Sequence, residues 1–524
     1  MDRERSKATM RTQSVFASWI VPLFSGFAAA CSNNGSSTPT TPLKTAEELQ
    51  DPNTCNECHQ THFTEWSGSM HAYASIDPVF RAMNARGQKE TNGALGAFCV
   101  KCHAPMAVAT GATTDGLNLD SLPQKLQGIT CYFCHNTTGV TDDHNNPLVL
   151  ANDAVMRGPV KSPIVFGHSG EYSQLFDDDV ATAGFASSSF CGSCHDIVVP
   201  QHFSGASQDI PLEQTFQEWK SSVFAVPSST NPLNCTSGGG CHMDRQLQVP
   251  IASPTIPHPT MPTRATHSHD FPAVDTALTD FPDKDAAAQA VQDKFSTSFR
   301  IQICADRPMA PPSGIMVTLE NLNAGHDIPS GAAQDRRVWV ELHAYKGGSE
   351  IFSSGVVAPG TPATSVSGTE LLYDQTFKAD GVTPAHMFWD VAKQTPKVIP
   401  VSTPQAPQGN TYVHVFNGGA EPDRVTVTIW VEPIGLDVID DMAAAGNYLD
   451  PSIRAKIPRF AVQLPTTQPD PTPSGTPVTF DWTVDAALAA AADPTTSSSS
   501  PTGQPCLEFP PIVNIIAAPP PPQQ

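Results

Sequence analysis

The stretch CNECH at residues 55–59 follows the pattern Cys-x-x-Cys-His, and this pattern occurs four times in the chain of 524 residues. The other copies are CVKCH at 99–103, CYFCH at 131–135 and CGSCH at 191–195. With 13 cysteines and 17 histidines present, roughly 0.01 such runs are expected by chance. The pattern is the attachment signature of a c-type haem, so the sequence predicts four covalently bound haems.

The spacing within each motif suits haem attachment. Two thiols add to the two vinyl groups of the porphyrin, and the histidine after the second cysteine lies beneath the ring and binds the iron. Disulfides, redox-active cysteine pairs and zinc ribbons also use paired cysteines, but none of them requires that histidine. We therefore assign attachment cysteines and proximal histidines: Cys55, Cys58 and His59; Cys99, Cys102 and His103; Cys131, Cys134 and His135; Cys191, Cys194 and His195.

A fifth candidate motif, NCTSGGGCHM at 234–243, keeps the Cys-His ending but has five residues between its cysteines. Three of those residues are glycines, which adopt backbone angles that other residues avoid. A bulged loop of this kind could return Cys235 to the side of Cys241. We interpret the segment as a fifth haem site with His242 as the proximal ligand. In the alternative, only Cys241 forms a thioether, and Cys235 is free or in a disulfide.

The N-terminus has the pattern of a secretory signal. Basic residues precede the apolar run VFASWIVPLFSGFAAAC at 15–31, and small residues end it. Export agrees with haem attachment, which occurs outside the cytoplasm in c-type cytochromes. Cys31 and the polar residues that follow it resemble a lipoprotein cleavage site with a flexible tether, although Ala28 stands where leucine is usual. The alternative is ordinary cleavage after Ala30, which would leave an unlipidated thiol.

Charge and hydropathy limit the partners. The net charge of −22 and the pI near 5.0 argue against a nucleic-acid partner and favour redox partner proteins with basic surfaces. No apolar run of about 18 residues follows the signal, so we expect no transmembrane helix after its removal. The sequence thus predicts a periplasmic or outer-membrane location in a Gram-negative bacterium.

The chain divides into segments that differ in composition and in the pattern of apolar residues. We expect a signal peptide at 1–30, a tether at 31–44, a multihaem domain of short helices and loops at 45–297, an antiparallel β-sandwich at 298–465 and a disordered tail rich in Pro and Ser at 466–524. The sandwich is indicated by short runs rich in Val, Ile and Thr, such as RRVWVELHAYKGG and RVTVTIWVEP. The fold class is therefore α+β.

The residues around the first motif, CNECHQTHFTEWSGSMHA at 55–72, resemble the exported multihaem cytochromes c related to the tetrahaem cytochrome of ammonia oxidisers. In that family the first motif is followed by an aromatic residue, a tryptophan, and then a serine and a histidine. The resemblance covers most of 50–460 and implies His71 as a distal iron ligand. The chain departs from the family in its fifth attachment loop and at Ala28.

Four further histidines are implied as distal ligands by the same resemblance. DDHNNPL at 142–148 and FGHSGEYS at 166–173 follow the third motif and imply His144 and His168. RATHSHDFPAVD at 264–275 favours His269 over His267, and NLNAGHDIPSG at 321–331 resembles an element of multihaem proteins with a C-terminal β domain and implies His326. Each of these residues could instead be an ordinary loop or surface histidine.

The distal positions decide between functions. Five irons with two protein ligands each would make the chain an electron carrier, which is the function we predict. One five-coordinate iron would allow nitrite, hydroxylamine or a similar small molecule to bind, and the chain would then be an oxidoreductase. In a third interpretation the β domain is a docking module for a surface partner. Cys304 and Cys506 remain outside the motifs, and the sequence leaves open whether they form a disulfide.

Overall fold

The computed structural model describes residues 42–163, 165–227, 232–236, 241–252, 262–305, 314–417, 421–462, 479–492 and 506–509. The expected signal peptide, Cys31 and most of the tether lie outside these ranges. Within them, no helix combines the length and the apolar character needed to cross a membrane.

Short helices and loops make up the segment that carries the cysteine motifs. Their starts are set by local capping: Thr45 and Glu48 form a capping box, and Asp51 and Asp77 each cap a helix whose first residue is proline. The helices are α1 (Ala46–Leu49), α2 (Pro52–Asn56), α3 (Gln60–Ser67), α4 (Met70–Tyr73), α5 (Pro78–Glu90), α6 (Val100–His103), α7 (Pro105–Ala109), α8 (Cys131–His135), α9 (Val180–Ala183), α10 (Ala186–His195), α11 (Gln201–Ser204), α12 (Thr215–Ser221) and α13 (Lys284–Ser298).

Two-stranded ribbons connect these helices. β1 (Thr137–Val140) pairs with β2 (Leu148–Leu150), β5 (Asp196–Val199) with β6 (Ile210–Gln214) and β7 (Arg245–Pro250) with β8 (Thr263–His267), all antiparallel. β3 (Val155–Gly158) and β4 (Ser169–Tyr172) pair in parallel. Each ribbon begins within a few residues of a motif or links two motif segments, so it fixes the motif's position relative to its neighbours.

From Phe299 onwards the chain forms two packed antiparallel sheets. One sheet has the order β16 (Thr411–Asn417), β10 (Gly314–Asn321), β9 (Phe299–Ala305), β20 (Cys506–Phe509). The other has the order β12 (Ser349–Ser354), β11 (Arg337–Lys346), β17 (Arg424–Glu432), β18 (Phe460–Ala461), with β13 (Leu371–Leu372) paired to β11 and β19 (Phe480–Thr483) to β17. β14 (Gln375–Phe377) and β15 (Lys393–Thr395) form a separate ribbon. The helices α14 (Leu436–Ala444) and α15 (Val484–Ala492) complete this half.

The sandwich core follows from alternation along its strands. In β10 the side chains of Ile315, Val317 and Leu319 are buried, whereas those between them are half-buried. They pack with Ile301 and Ile303 of β9 and with apolar residues of the facing sheet in one hydrophobic cluster. The expected strands at 299–432 thus occur where alternating apolar residues predict them, and the α+β class is observed.

The segment after 465 differs from the expected disordered tail. Part of it is ordered: β19 pairs with β17, and β20 pairs with β9 at the edge of the first sheet. Phe480 and Trp482 of β19 are buried in the sandwich core. A disulfide joins Cys304 of β9 to Cys506 of β20, which answers the open question about these cysteines. The polar composition of this segment gave no indication of β19 and β20. Pairing with strands of the two sheets holds both in place, and the disulfide also holds β20.

We predict that replacing Cys304 and Cys506 by serine lowers the free energy of unfolding by about 2–4 kcal/mol, because the bond closes a long loop in the unfolded chain. Chemical denaturation of the holoprotein measures the change. The haem absorbance spectrum is the control and should be unaltered, since the disulfide lies in the sandwich. Equal unfolding midpoints for the two proteins would contradict the prediction.

Candidate haem site

One large cavity runs through the motif-bearing segment. Its volume is about 1100 Å³, whereas protein interiors are normally close-packed. All ten motif cysteines and all five proximal histidines line it. A void of this size, lined by thiols in attachment spacing and by imidazoles, fits covalently bound haem and no ordinary side-chain core.

Four of the five proximal histidines are oriented through one ring nitrogen. Nδ1 of the ring donates to a backbone carbonyl, which leaves Nε2 directed away as the free metal ligand. The partners are Ile251 O for His59 (2.9 Å), Ala74 O for His103 (2.9 Å), Arg157 O for His135 (2.5 Å) and Pro272 O for His242 (2.9 Å). Burial lowers the pKa of His59, His195 and His242 to about 4, so these rings are neutral at physiological pH, as iron binding requires.

The irregular fifth motif keeps the backbone hydrogen bond that joins the two ends of a regular motif. In the first motif the amide of His59 donates to the carbonyl of Cys55 (2.7 Å). The amide of His242 makes the same bond to the carbonyl of Cys235 (3.2 Å), although three more residues intervene. Both cysteines of this motif line the cavity. The extra glycine-rich residues therefore leave the ends of the motif in the relation that haem attachment needs.

Four proximal histidines face a second histidine across the cavity. A metal–imidazole bond of about 2 Å on each side, together with the ring radii, places two ligand rings roughly 6 Å apart, centre to centre. The observed separations between ring centres are 6.2 Å for His59 and His168, 6.2 Å for His195 and His71, 6.4 Å for His135 and His269, and 6.3 Å for His242 and His326. These distances match two imidazoles on opposite faces of one iron.

The second histidines are oriented like the first. Nδ1 donates to a backbone carbonyl in His168 (Ser169 O, 3.0 Å), His269 (His267 O, 2.9 Å) and His326 (Asp327 O, 2.8 Å). His267 differs, because its Nδ1 bonds to Met243 O (3.1 Å) and its Nε2 lies 3.3 Å from Asp178. Both of its nitrogens are occupied, so His269 is the residue of this pair with the geometry of a ligand.

His144 does not lie where the sequence predicts it. It is absent from the cavity lining, and its Nδ1 faces the carboxylates of Asp143 (3.1 Å) and Asp142 (3.6 Å). The neighbouring asparagines explain this placement. Asn145 and Asn146 bond to the backbone of Asp196, Val198, Ser193 and Lys101, so the segment holds the second and fourth motifs together from outside and directs His144 away from the cavity.

His103 has no histidine opposite it among the described residues. Its ring instead stacks on Phe80, with centres 3.9 Å apart and an interplanar angle of 1°. Phe80 belongs to α5, and the carbonyl that orients His103 follows α4. These two helices therefore back the proximal side of the ring, and within the described chain no second imidazole closes the other face of an iron held by His103.

Cysteines of different motifs lie close together. The sulfurs of Cys55 and Cys131, of Cys102 and Cys194, and of Cys191 and Cys235 are near enough for each to shift the pKa of the other. Because these sulfurs become thioethers at the porphyrin edge, each contact brings two attachment sites side by side. The fourth motif takes part in two of the three contacts, one through each of its cysteines.

A carboxylate that the sequence analysis missed holds the His326 loop. Glu218 of α12 accepts hydrogen bonds from the amide of Asp327 (3.1 Å) and the hydroxyl of Ser330 (2.6 Å). Burial raises the pKa of Glu218 to about 8. The motif-bearing segment thus positions the histidine that the β domain supplies. No spacing rule indicates such a residue, because α12 and the loop are more than a hundred residues apart in sequence.

His62 and Glu65 of α3 form a second group that the sequence analysis missed. His62 lies 3.1 Å from the carboxylate of Glu65, which also accepts from the amide of His269 (3.0 Å). The rings of His62 and His269 are 4.5 Å apart, centre to centre. The pair therefore supports the position of His269 opposite His135.

Comparisons with known proteins agree with this geometry. Residues 54–136 match the family model described as cytochrome c554 and c-prime. The fold is similar to that of a penta-haem cytochrome c552 from Thermochromatium tepidum, with a TM-score of 0.52 and 16% sequence identity, covering 80% of this chain and 98% of that one. No curated protein matches the chain. Together with the motifs, these likenesses support a multihaem cytochrome c with covalently bound haem.

We predict that His168→Ala and His144→Ala have opposite spectroscopic outcomes. His168→Ala removes the second imidazole from the iron that His59 binds, so one additional haem becomes high-spin. Removal of His144 leaves every iron unchanged. Electron paramagnetic resonance of the ferric proteins, scaled to total haem, measures both. A new high-spin signal in the His144 variant would contradict the placement of this residue outside the cavity.

Glu218→Ala should release the loop that carries His326 and create high-spin haem at the fifth motif. Glu218→Gln should restore much of the low-spin signal, because its amide oxygen still accepts from Asp327 or Ser330. The ratio of high-spin to low-spin haem is the measurement. If Glu218 only stabilised the fold, both variants would have a lower melting temperature and Glu218→Gln would not restore the low-spin signal. That result would argue against a positioning role.

Proposed function

We propose that the chain is an exported cytochrome with five c-type haems that carries electrons in a respiratory or extracellular chain. Haem c supplies one-electron transfer when it is bound. Four sites have a histidine on each side, from the pairs His59/His168, His195/His71, His135/His269 and His242/His326. The fifth, at His103, has no second imidazole among the described residues.

The observation that carries this proposal is the proximity of sulfurs from different motifs. Cys55 with Cys131, Cys102 with Cys194, and Cys191 with Cys235 join the motifs into neighbouring groups. Cys134 also lies within electrostatic reach of Cys191 and Cys194, which connects the third motif to the fourth. Every attachment site therefore has another beside it, as an electron carrier requires.

A second candidate function is favoured by one specific observation. The face opposite His103 carries no imidazole among the described residues, and small molecules bind iron only where a coordination position is open. We propose that this site binds nitrite, hydroxylamine or a similar small molecule, and that the remaining sites supply or remove electrons.

Location and partners are part of the same proposal. The N-terminal sequence supports export to the periplasm or to the outer-membrane surface of a Gram-negative bacterium, with Cys31 as the site of a lipid anchor.

The charge of −22 supports a redox partner with a basic surface. A fall in the rate of electron exchange with rising salt is the measurement that tests this partner. The β domain supplies His326, so we propose that it serves haem ligation as well as any docking.

We predict that the purified ferric protein shows a high-spin signal equal to about one fifth of its haem, and that the reduced protein binds about one carbon monoxide per chain. The His168→Ala protein, with a second open site, is the control and should bind about two. Low-spin signals alone, with no carbon monoxide bound, would leave electron transfer standing and remove the proposal of a reactive site at His103.

A further inference from the structure

His267 is the histidine of the segment at 264–275 that the paired ligand geometry leaves without a role. It ends β8 and lines the cavity, and its side chain is 16% exposed. Its Nδ1 donates to the carbonyl of Met243 (3.1 Å), and its Nε2 lies 3.3 Å from the carboxylate of Asp178. Both partners are acceptors, so the ring has no free lone pair for an iron while it binds them. These contacts indicate a role in holding segments of chain together.

The contacts of His267 reach both ends of the fifth motif. Met243 directly follows the motif, and Asn234 directly precedes its first cysteine. Nδ2 of Asn234 donates to the backbone carbonyl of Asp178 (3.2 Å). Asp178 thus binds one end of the motif through its backbone, and its carboxylate reaches the other end through His267.

The segment that carries Asp178 is itself fixed by other contacts. Phe176 stacks on the proximal His135, with ring centres 4.8 Å apart and an interplanar angle of 9°. On the other side, Arg245, two residues after Met243, lies 3.7 Å from the carboxylate of Asp178. Asp178 therefore holds the end of the fifth motif from a segment that is anchored at the third.

The length of the fifth motif explains why it needs such support. In the third motif one helix, α8, spans all five residues from Cys131 to His135, so the backbone hydrogen bonds of a helical turn keep cysteines and histidine in place. Five residues separate Cys235 from Cys241, and three of them are glycines. Glycine loses more conformational freedom on folding than any other residue. Contacts from outside the loop that fix its two ends offset this cost.

We infer that Asp178 and His267 form a clamp that holds the two ends of the long attachment loop and so keeps His242 opposite His326. The inference rests on the proposed fifth haem. The clamp supplies from neighbouring segments what the short spacing supplies in a regular motif. His267 is thus a positioning residue for the iron held by His242.

The test uses the full-length holoprotein and electron paramagnetic resonance of its ferric form, scaled to total haem. His267→Phe keeps a ring but removes both contacts, and Asp178→Ala removes the carboxylate but keeps the carbonyl that binds Asn234. Each should add a high-spin signal of up to about one fifth of the haem, because His242 loses its support. His202→Phe, at an exposed histidine of α11 outside the cavity lining, is the matched control and should behave as wild type.

A shortened loop separates the clamp from general support of the fold. Deletion of residues 238–240 leaves Cys-Thr-Ser-Cys-His, the regular spacing, which should hold His242 without the clamp. In this background His267→Phe should add no high-spin haem. A high-spin signal that persists after shortening would refute the clamp, because the substitution would then act on the fold in general.

A combined variant locates the affected iron without the deletion. His326→Ala already opens the site at His242, so adding His267→Phe should leave the high-spin signal unchanged. A further high-spin haem would place the effect at another iron, such as that of His269, and would refute the clamp.

The haem content of wild type separates this inference from the proposed function. If the pyridine haemochrome assay gives five haems per chain and His267→Phe and Asp178→Ala have the spectrum of wild type, the clamp is refuted and the fifth haem stands. If wild type holds four haems, the fifth haem is refuted and the clamp with it.

Discussion

The motif-bearing half depends on a cavity that polypeptide does not fill. Its helices are mostly one or two turns long, and isolated helices of that length are unstable in water. They form here because motif residues such as Val100, Tyr132 and Phe133 are buried on one side in small clusters, while the cysteines on the other side line the cavity. The covalent attachment of haem completes the core. The stability of this half of the chain therefore depends on haem attachment.

One loop of the β domain contributes a histidine to the cavity. Its sandwich has an independent core, yet His326 leaves that core to face His242 of the fifth motif. Glu218 and Thr215 of α12 hold the loop by bonds to Ser330 and Asp327. Both halves thus line the fifth site, and they also share a hydrophobic cluster that joins α5 to α14.

Much of this arrangement follows from the sequence, and the remainder has identifiable physical causes. Cys-x-x-Cys-His is a local rule, so the motifs could be located without a fold. Which histidines face each other depends on tertiary contacts: His71 reaches His195 across more than a hundred residues. His144 was expected in the cavity because it follows the third motif, but Asn145 and Asn146 use the segment to bind the backbone of two motifs. The ordered strands β19 and β20 escaped notice because the composition around them is that of a disordered tail.

The open site that we propose at His103 would lie beside the fourth motif. Cys194 lies close to Cys102 of the second motif, and Cys191 lies close to Cys235 of the fifth. His71 and His195 would hold the fourth site from both sides, which leaves it no free position for a competing ligand. In the proposed function, an electron for a ligand at His103 would arrive through this neighbour, which cannot itself bind that ligand. Separation of these two tasks requires one site without a second histidine, and among the described residues the site at His103 is the one that has none.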